Sequence, residues 1–220
     1  MHHVIGSTIN RHRLFAHPAR LLTRSPDLIF REVEDRDLIL QTRKGKVEAY
    51  NLLISRWEKR IYNYVLRLVR NREDALDLTQ DVFMKAYQNV NKLDNVERFG
   101  PWLFRIAHNE TFSLLRRQRP DRVELNEAIA EDRSSWTTGS SPFESGGGRL
   151  LPLELSIAVT AAMARLKPEQ REAVVLKVFE GFKFEEIAEI LDTPVSTVKS
   201  RLYTAFDQLK DVLAPIGRAV

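Results

Sequence analysis

The chain contains no cysteine, and this absence removes several classes of function at once. Without thiols it can form no disulfide scaffold, no thiolate metal site and no cysteine nucleophile. Glycine and proline are also sparse, at nine each in 220 residues, which permits long helices. No apolar run approaches the roughly 20 residues that span a bilayer, so we expect no membrane insertion.

Signals for secretion and for catalysis are missing as well. The N-terminal residues are basic but lack the apolar core of a signal peptide, which together with the missing thiols favours a cytoplasmic protein. No phosphate loop, metal-ligand cluster or nucleophile constellation occurs, so we predict no enzymatic activity, no catalytic residue, no metal and no cofactor. The formal net charge of +4 permits a polyanionic partner without requiring one.

Hydrophobic periodicity and composition divide the chain into four parts. Residues 1–36 are a basic extension that we expect to be flexible, and residues 37–120 carry a helical pattern throughout. Residues 121–150 are acidic and rich in glycine and serine, as is typical of a linker. Residues 151–214 resume the helical pattern. The sequence thus predicts an all-α protein with two small helical domains joined by a flexible linker.

In the first domain, apolar side chains recur at intervals of three and four residues. One long helix has a buried edge consisting of Tyr50, Ile54, Trp57, Ile61, Tyr64 and Leu68. The next helix buries Ala75, Leu78, Val82 and Ala86, while its acidic and amide residues face outward. A third helix is predicted to begin near Pro101 and to end in a cluster of arginines, whose charge suits the helix C-terminus.

The C-terminal segment has the pattern of a helix-turn-helix unit. Phe184, Ile187, Ala188 and Leu191 form the apolar stripe of a short helix. Thr193 is predicted as the N-cap of the following helix, with Pro194 in its first position. Small hydroxyls and long cations cover the polar face of that second helix and can reach base edges and phosphates. A solvated polar face with no DNA partner is the alternative interpretation.

Several ungapped stretches in order resemble bacterial sigma factors. Residues 74–87, DALDLTQDVFMKAY, resemble the helix with which these proteins bind core RNA polymerase. Residues 99–109, FGPWLFRIAHN, followed by LLRR at 114–117, resemble the helix used on the promoter −10 element. The fourth conserved region, which reads the −35 element, is matched by LKPEQR at 166–171, EEIA at 185–188 and VSTVKSRL at 195–202.

Two such domains without a middle one are typical of the extracytoplasmic-function (ECF) group of the sigma-70 family, and the likeness covers roughly residues 43–213. The resemblance implies sigma region 2 in residues 37–120 and sigma region 4 in residues 151–214. It implies a transcription initiation factor that binds core RNA polymerase, directs it to −35 and −10 promoter elements and assists promoter melting. Core RNA polymerase, promoter DNA and an anti-sigma factor are the implied partners.

The resemblance also implies three sets of site residues. The set for core polymerase is Asp74, Asp77, Leu78, Gln80, Asp81, Phe83 and Met84. The set for the −10 element is Asn91, Lys92, Asn95, Arg105, Asn109, Ser113, Arg116, Arg117 and Arg119. The set for the −35 element is Ser196, Thr197, Lys199, Ser200, Arg201, Tyr203 and Thr204. Residues 90–98 are the turn in which the family holds a flipped base, whereas Trp102 is interpreted as a core residue.

Two alternatives remain at this point. A conventional helix-turn-helix regulator would bind DNA without polymerase, but it leaves the acidic helix at 74–87 unexplained. A sigma-like decoy would bind an anti-sigma factor, but it should lack DNA-reading cations such as Lys199 and Arg201. His108 has no carboxylate partner at motif spacing and is interpreted as structural. Whether the acidic linker contacts the polymerase cleft or is merely solvated is left open.

Overall fold

The computed structural model describes residues 33–118 and 153–217, and within these ranges the chain forms helices and turns without a strand. The all-α prediction and the division into two helical units are therefore confirmed. Most of the predicted N-terminal extension, the whole linker and Arg119 lie outside the described residues. None of the described helices combines the length and apolar character needed to cross a membrane.

The first unit is a bundle of four helices. They are α1 (Asp35–Arg43), α2 (Val47–Val69), α3 (Arg72–Asn89) and α4 (Phe99–Arg117), and 3₁₀ turns at Val90–Lys92 and Val96–Arg98 connect the last two. Arg70 adopts a left-handed conformation, with φ of 62°, and ends α2. The side chain of Asn71 then accepts hydrogen bonds from the backbone N–H groups of Glu73 and Asp74. A tight corner with a satisfied N-cap thus fixes the start of α3.

The predicted apolar edges form the core of this bundle. Tyr50, Ile61 and Tyr64 on α2 are almost fully buried, and the four residues predicted for α3 are buried as well. Trp57 is only partly buried, and its ring meets Phe99 edge-on at a centroid distance of 5.7 Å. The 3.6-residue period therefore identified the inner faces correctly.

The second unit contains α5 (Leu153–Arg165), α6 (Pro168–Val174), α7 (Phe184–Leu191) and α8 (Val195–Gly217). A π-helical turn at Val175–Phe179 extends α6, which the sequence did not predict. Gly181 follows with φ of 78°, a left-handed conformation that favours glycine just after a helix end. The α7–α8 pair forms the predicted helix-turn-helix, with α7 ending at Asp192 in a left-handed conformation, with φ of 51°.

The predicted cap of the recognition helix is wrong in detail. Thr193 has a buried hydroxyl oxygen without a hydrogen-bond partner, so it does not cap α8. Pro194 precedes the helix, and its carbonyl accepts from the backbone N–H groups of Thr197 and Val198 at 2.9 and 3.1 Å. The reason is that the backbone N–H of Thr193 bonds back to the carbonyl of Ala188 at 3.0 Å, so this residue completes the end of α7.

The two units pack against each other, chiefly through α4 and α7. Phe104 of α4 meets Phe182 edge-on at a centroid distance of 5.0 Å, and both rings are buried. The guanidinium of Arg171 donates to the carbonyl of Leu68 at 3.1 Å, across the boundary between the units. The two helical units are thus in direct contact. The hydrophobic periodicity of the sequence does not predict this contact, because it reports only on the faces of single helices.

Candidate polymerase and nucleic-acid interfaces

The outer face of α3 carries the predicted polymerase-binding acids. Asp77, Gln80 and Asp81 are exposed, whereas Asp74 is partly buried and accepts a hydrogen bond from the side chain of Gln118 at 3.1 Å. Among these polar groups lies Leu76, whose side chain is 47% exposed. An exposed leucine on the same helix as exposed acids suits a partner surface that combines cations with an apolar site.

Two predicted contact residues on α3 belong to the core instead. Leu78 and Phe83 are 6% and 1% exposed, so their side chains are not available to a partner in this arrangement. The carbonyl of Phe83 accepts a hydrogen bond from the hydroxyl of Tyr50, and burial raises the pKa of that tyrosine well above its ordinary value. Met84 is partly buried. Leu76 is an exposed apolar residue of α3 that lies within the matched stretch 74–87 but was left out of the predicted set, which named the apolar residues Leu78, Phe83 and Met84 instead.

The 3₁₀ turns and the first turns of α4 enclose a cleft of about 420 Å³. It is lined by Lys92, Leu93, Asp94, Asn95, Arg98, Pro101, Trp102, Arg105 and Glu189. Three predicted −10 residues, Lys92, Asn95 and Arg105, therefore meet at one place. Trp102, interpreted as core, also lines the cleft and stacks at a tilt on Phe99, with centroids 5.8 Å apart.

The chemistry of this cleft suits an unpaired nucleotide. Asn95 accepts a hydrogen bond from the backbone N–H of Glu97 at 3.0 Å, which fixes its side chain and leaves the amide nitrogen as donor. Trp102 offers an aromatic surface, while Lys92 and Arg105 supply positive charge. An aromatic platform, an oriented amide and cations are the groups that bind a base and its phosphates.

Arg43 of α1 holds the loop that forms one wall of the cleft. Its Nε donates to the carbonyl of Val90 at 3.1 Å, and its Nη2 donates to the carbonyl of Leu93. These bonds join positions 47 and 50 residues apart in the chain. Sequence reasoning missed Arg43 because no local motif marks a cation whose acceptors are distant carbonyls.

The remaining −10 candidates do not line the cleft. Asn91 is exposed on the first 3₁₀ turn, and Asn109 is exposed farther along α4. Ser113 is partly buried, and its carbonyl accepts from Nε of Arg117 at 3.3 Å. Arg116 and Arg117 are exposed in the last turn of α4. Arg116 and Arg117 thus present exposed positive charge at the C-terminal end of α4, beyond the residues of that helix that line the cleft.

The polar face of α8 holds the predicted −35 residues. Val198, Leu202 and Ala205 are buried, so the opposite side of the helix faces outward. Ser196, Lys199, Ser200, Tyr203 and Thr204 are exposed, whereas Thr197 and Arg201 are partly buried. The hydroxyl of Ser200 donates to the carbonyl of Thr197 at 3.0 Å, and that of Thr204 to Ser200 at 2.8 Å.

An aromatic ring of α7 holds two cations beside the start of α8. The ammonium groups of Lys177 and Lys199 lie 4.8 and 5.3 Å from the ring centroid of Phe184. Lys177 also donates to the carbonyl of Phe182 at 3.1 Å. Lys177 and Phe184 were not among the predicted −35 residues. Their cation–π contacts concentrate positive charge next to the recognition helix.

A buried carboxylate joins the two units. Glu172 of α6 is fully buried, and its Oε1 lies 2.7 Å from Nδ1 of His108 and accepts a hydrogen bond from the hydroxyl of Tyr64. Burial, followed by the negative charge of Glu172, raises the pKa of Tyr64. The carboxylate partner of His108 thus lies 64 residues along the chain, which explains why motif spacing did not reveal it.

Within the described residues, ion pairs such as the following three also cross between the units. Nε of Arg60 lies 3.0 Å from Oε2 of Glu180, whose side chain is only 6% exposed. Burial raises the pKa of Glu180, an effect that Arg60 and then Arg67 oppose. The other two pairs border the cleft: Arg98 with Glu189 at 2.8 Å and Arg105 with Asp192 at 3.5 Å.

Comparison with known proteins assigns the two helical units to two conserved regions of one family. Residues 53–120 match the family model for sigma-70 region 2, and residues 156–209 match that for sigma-70 region 4. The ECF RNA polymerase sigma-E factor of Haemophilus influenzae is 30% identical over 189 residues, which cover 84% of this chain and 98% of that protein.

Two solved structures share the architecture. One is CnrH in complex with the cytosolic domain of CnrY, with a TM-score of 0.59 and 23% identity over 82% of this chain and 97% of that chain. The other is the sigma factor RpoE of Bartonella quintana with the anti-sigma factor NepR, with a TM-score of 0.55 and 25% identity over 73% of this chain and 94% of that chain. With both region models matched in order and a 30% identical relative along nearly its whole length, the chain belongs to the ECF group of the sigma-70 family of sigma factors.

Proposed function

We propose that this sigma factor binds core RNA polymerase through the outer face of α3, captures the −10 element at the cleft and reads the −35 element with α8. The cleft carries the proposal. It combines Trp102, the oriented amide of Asn95 and the cations Lys92 and Arg105 within one 420 Å³ space. These groups can hold a base after it has left the duplex, a step that promoter melting requires.

Each surface has a separate task. Asp77, Gln80 and Asp81 are exposed on α3, as is Leu76, and would set the orientation of polymerase docking. Arg116 and Arg117 would hold phosphates beyond the cleft, and the exposed polar face of α8 would enter a major groove. Bond making and breaking would belong to the polymerase, so the sigma factor itself is proposed to be non-enzymatic and to act in the cytoplasm.

An anti-sigma factor is the proposed negative regulator. The support is the Bartonella quintana sigma factor, which shares 25% identity with this chain and whose structure contains the anti-sigma factor NepR. A protein that functioned only as a decoy for such a regulator would not need the cations that line the cleft and the end of α4. A helix-turn-helix regulator that acted without polymerase would not need the acidic face of α3.

The test is run-off transcription with purified core polymerase on a genomic promoter library. We expect discrete transcripts with the parent and a strong loss with Asp77→Lys combined with Asp81→Lys, because both side chains are exposed and charge reversal would repel the partner's cations. Glu48→Lys with Glu58→Lys is the matched control, since these exposed acids lie on α2 and give the same change in net charge.

Core binding should be measured beside transcription, by fluorescence anisotropy of a labelled sigma factor. Loss of binding in the α3 variant, with an unchanged circular dichroism spectrum and normal binding by the α2 variant, supports the proposed docking face. Equal core affinity of both variants would place the docking surface elsewhere on the molecule.

A further inference from the structure

We propose that Arg43 positions the turn that forms one wall of the −10 cleft, and that promoter melting depends on this residue although it does not line the cleft. This role rests on the proposed function of the cleft and is exerted through the cleft wall. Nε of Arg43 donates to the carbonyl of Val90 at 3.1 Å, and Nη2 donates to the carbonyl of Leu93. One planar group thus bridges the first residue of the 3₁₀ turn Val90–Lys92 and the residue that follows this turn.

The two carbonyls need a donor from outside their own segment. α3 ends at Asn89, and the carbonyls at the C-terminal end of a helix have no partner within it. Val90 and Leu93 are 3% and 5% exposed, so water has little access to replace a missing hydrogen bond. The last turn of α3 contains no basic residue that could complement the negative end of the helix dipole. Arg43 supplies both the donors and the positive charge from α1.

The bridged turn leads directly into residues of the cleft. Lys92 lies between the two bonded carbonyls, and Leu93 itself lines the cleft. Two residues farther along, the oxygen of Asn95 caps the second 3₁₀ turn. Arg43 therefore fixes one end of this short segment, and the Asn95 cap fixes the other. We expect the placement of Lys92 and of the Asn95 amide relative to Trp102 to depend on both.

α1 is a firm support for this contact. Its residues Leu38 and Ile39 are buried in the core of the bundle. Asp35 accepts a hydrogen bond from Nε1 of Trp57 on α2 at 2.9 Å, which ties the start of α1 to the longest helix of the unit. Through Arg43, the turn is thus attached to the body of the first unit.

A second contact between α1 and the segment 90–98 provides a matched control. Arg36 lies 3.7 Å from Glu97, and the two side chains are 59% and 66% exposed. An exposed ion pair of this kind contributes little to stability. Arg36→Gln therefore makes the same change in charge as Arg43→Gln, on the same helix, without removing a bond to the carbonyl of a buried residue.

Two substitutions of Arg43 test different parts of the contact. Arg43→Gln removes the charge and offers one amide nitrogen in place of the guanidinium fork. Arg43→Lys keeps the charge but carries one donor atom on a flexible stem, so it cannot reproduce the planar bridge. A residue that only anchored a phosphate would keep most of its effect in Arg43→Lys, whereas a positioning residue would lose its effect in both variants.

The first measurement reports on the turn itself, without DNA or polymerase. Because the chain has no cysteine, Asn91→Cys introduces a single site for a nitroxide label, at an exposed position of the first 3₁₀ turn. Electron resonance spectra should show a slowly moving label in the otherwise unchanged chain and in Arg36→Gln, and a more mobile label in both Arg43 variants. A label at Lys59→Cys, exposed on α2, should move equally in all four proteins.

The second measurement follows promoter melting by the holoenzyme, with unlabelled proteins and a promoter found by run-off transcription. Both Arg43 variants should form about tenfold fewer permanganate-reactive open complexes, a factor that corresponds to about 1.4 kcal/mol for one lost hydrogen bond. Core affinity and binding to closed duplex promoter should stay close to those of the parent, because the exposed faces of α3 and α8 are unchanged. Arg36→Gln should match the parent in all three properties.

Unchanged mobility of the label at residue 91 in the Arg43 variants, or a mobile turn with undiminished melting, would overturn the proposal. Equal losses of core binding, duplex binding and melting would overturn it as well, since they would indicate a general loss of structure. Full melting by Arg43→Lys would show that charge alone suffices and would refute the positioning role. None of these results affects the proposed function while the parent opens promoters. A parent that forms no open complex would refute the proposed function and the melting role with it, and the label would still decide whether Arg43 holds the turn.

Discussion

Gly100 lies directly against the indole of Trp57: a Cβ added at residue 100 would stand 2.8 Å from Cη2 of that ring. The ring cannot easily move away, because its Nε1 donates to Asp35 at 2.9 Å and Arg60 covers its face at 4.7 Å. The glycine at the start of α4 is therefore required by packing. This contact sets how closely α4 approaches α2, and thus where the cleft residues of α4 stand.

Gly100→Ala should destabilise the first unit by about 1–3 kcal/mol, as expected when a methyl group is forced into a packed site. Urea denaturation followed by circular dichroism would measure the loss. Trp57→Phe supplies the matched test, because the smaller ring removes the clashing atoms. The double variant should therefore lose less than the sum of the two single losses. Strict additivity would show that the indole is not what excludes a side chain at residue 100.

Arg171 stabilises the fold by donating to carbonyls instead of pairing with an acid. Its guanidinium bonds the carbonyls of Met163, Ala164, Leu166 and Leu68 at 2.9 to 3.1 Å. Burial, with the nearby charge of Arg70, lowers its pKa to about 10, which still leaves it charged at neutral pH. It thus satisfies the end of α5 and ties that end to α2.

Arg171→Lys should lower stability by about 2–4 kcal/mol, since one ammonium cannot reach four carbonyls and each buried acceptor left unpaired costs about 1–3 kcal/mol. Arg165→Lys is the control, because that arginine is exposed in the last turn of α5. Thermal unfolding of both variants in one buffer would compare them. Similar melting temperatures for the two would contradict a special role for the guanidinium geometry.

The side chain of Asn95 combines an oxygen with a structural role and an amide nitrogen with a proposed functional role. Its oxygen caps the second 3₁₀ turn, and its amide nitrogen is the proposed donor to an unpaired base. Asn95→Ser keeps an acceptor for the cap and removes the amide, so open-complex formation should fall more than duplex binding. Permanganate footprinting of the holoenzyme would show lost thymine reactivity near the start site.

Asn71→Ser is the matched control for that experiment. Asn71 caps α3 through the same kind of oxygen contact, at an exposed position away from the cleft. It should keep full permanganate reactivity. Equal reactivity of the Asn95 variant and the parent would remove this amide from the melting step and leave Trp102 and the cations of the cleft to account for base capture.

The sequence predicted those features of the fold that depend only on neighbouring residues of a single helix. The apolar edges of α2 and α3, the helix-turn-helix and the outward face of α8 follow from a 3.6-residue period, which is local information. Leu78 shows the limit of the motif resemblance: the 3.6-residue period placed this residue in the core, while the resemblance placed it in the docking set. The structure supports the period, with 6% exposure.

The remaining features depend on contacts between distant residues. Arg43 reaches carbonyls about 50 residues away, His108 meets Glu172, and Glu189 enters the cleft of the other unit. Each of these contacts needs the tertiary arrangement before its partners can be named. The π turn at residues 175–179 is similar, because a single inserted residue in a helix leaves no distinctive composition.

On the −35 element, recognition of bases and contact with phosphates should be separable, because we expect them to depend on different residues, Arg201 and Lys199. Lys199 is exposed and its ammonium lies over Phe184, whereas Arg201 is partly buried in the second turn of α8. We predict that Arg201 carries sequence preference, because a guanidinium bidentate to guanine gives about 1–3 kcal/mol of discrimination. Lys199, held on the ring, should act as a phosphate anchor.

Arg201→Ala and Lys199→Ala would each be titrated on a duplex taken from a transcribed promoter and on a scrambled duplex, across a salt series. The first variant should lose affinity mainly for the promoter duplex. The second should lose affinity for both and lower the salt slope by about one. If Arg201→Ala weakens both duplexes equally, Arg201 is an anchor, and the base contacts must come from the exposed hydroxyls of α8.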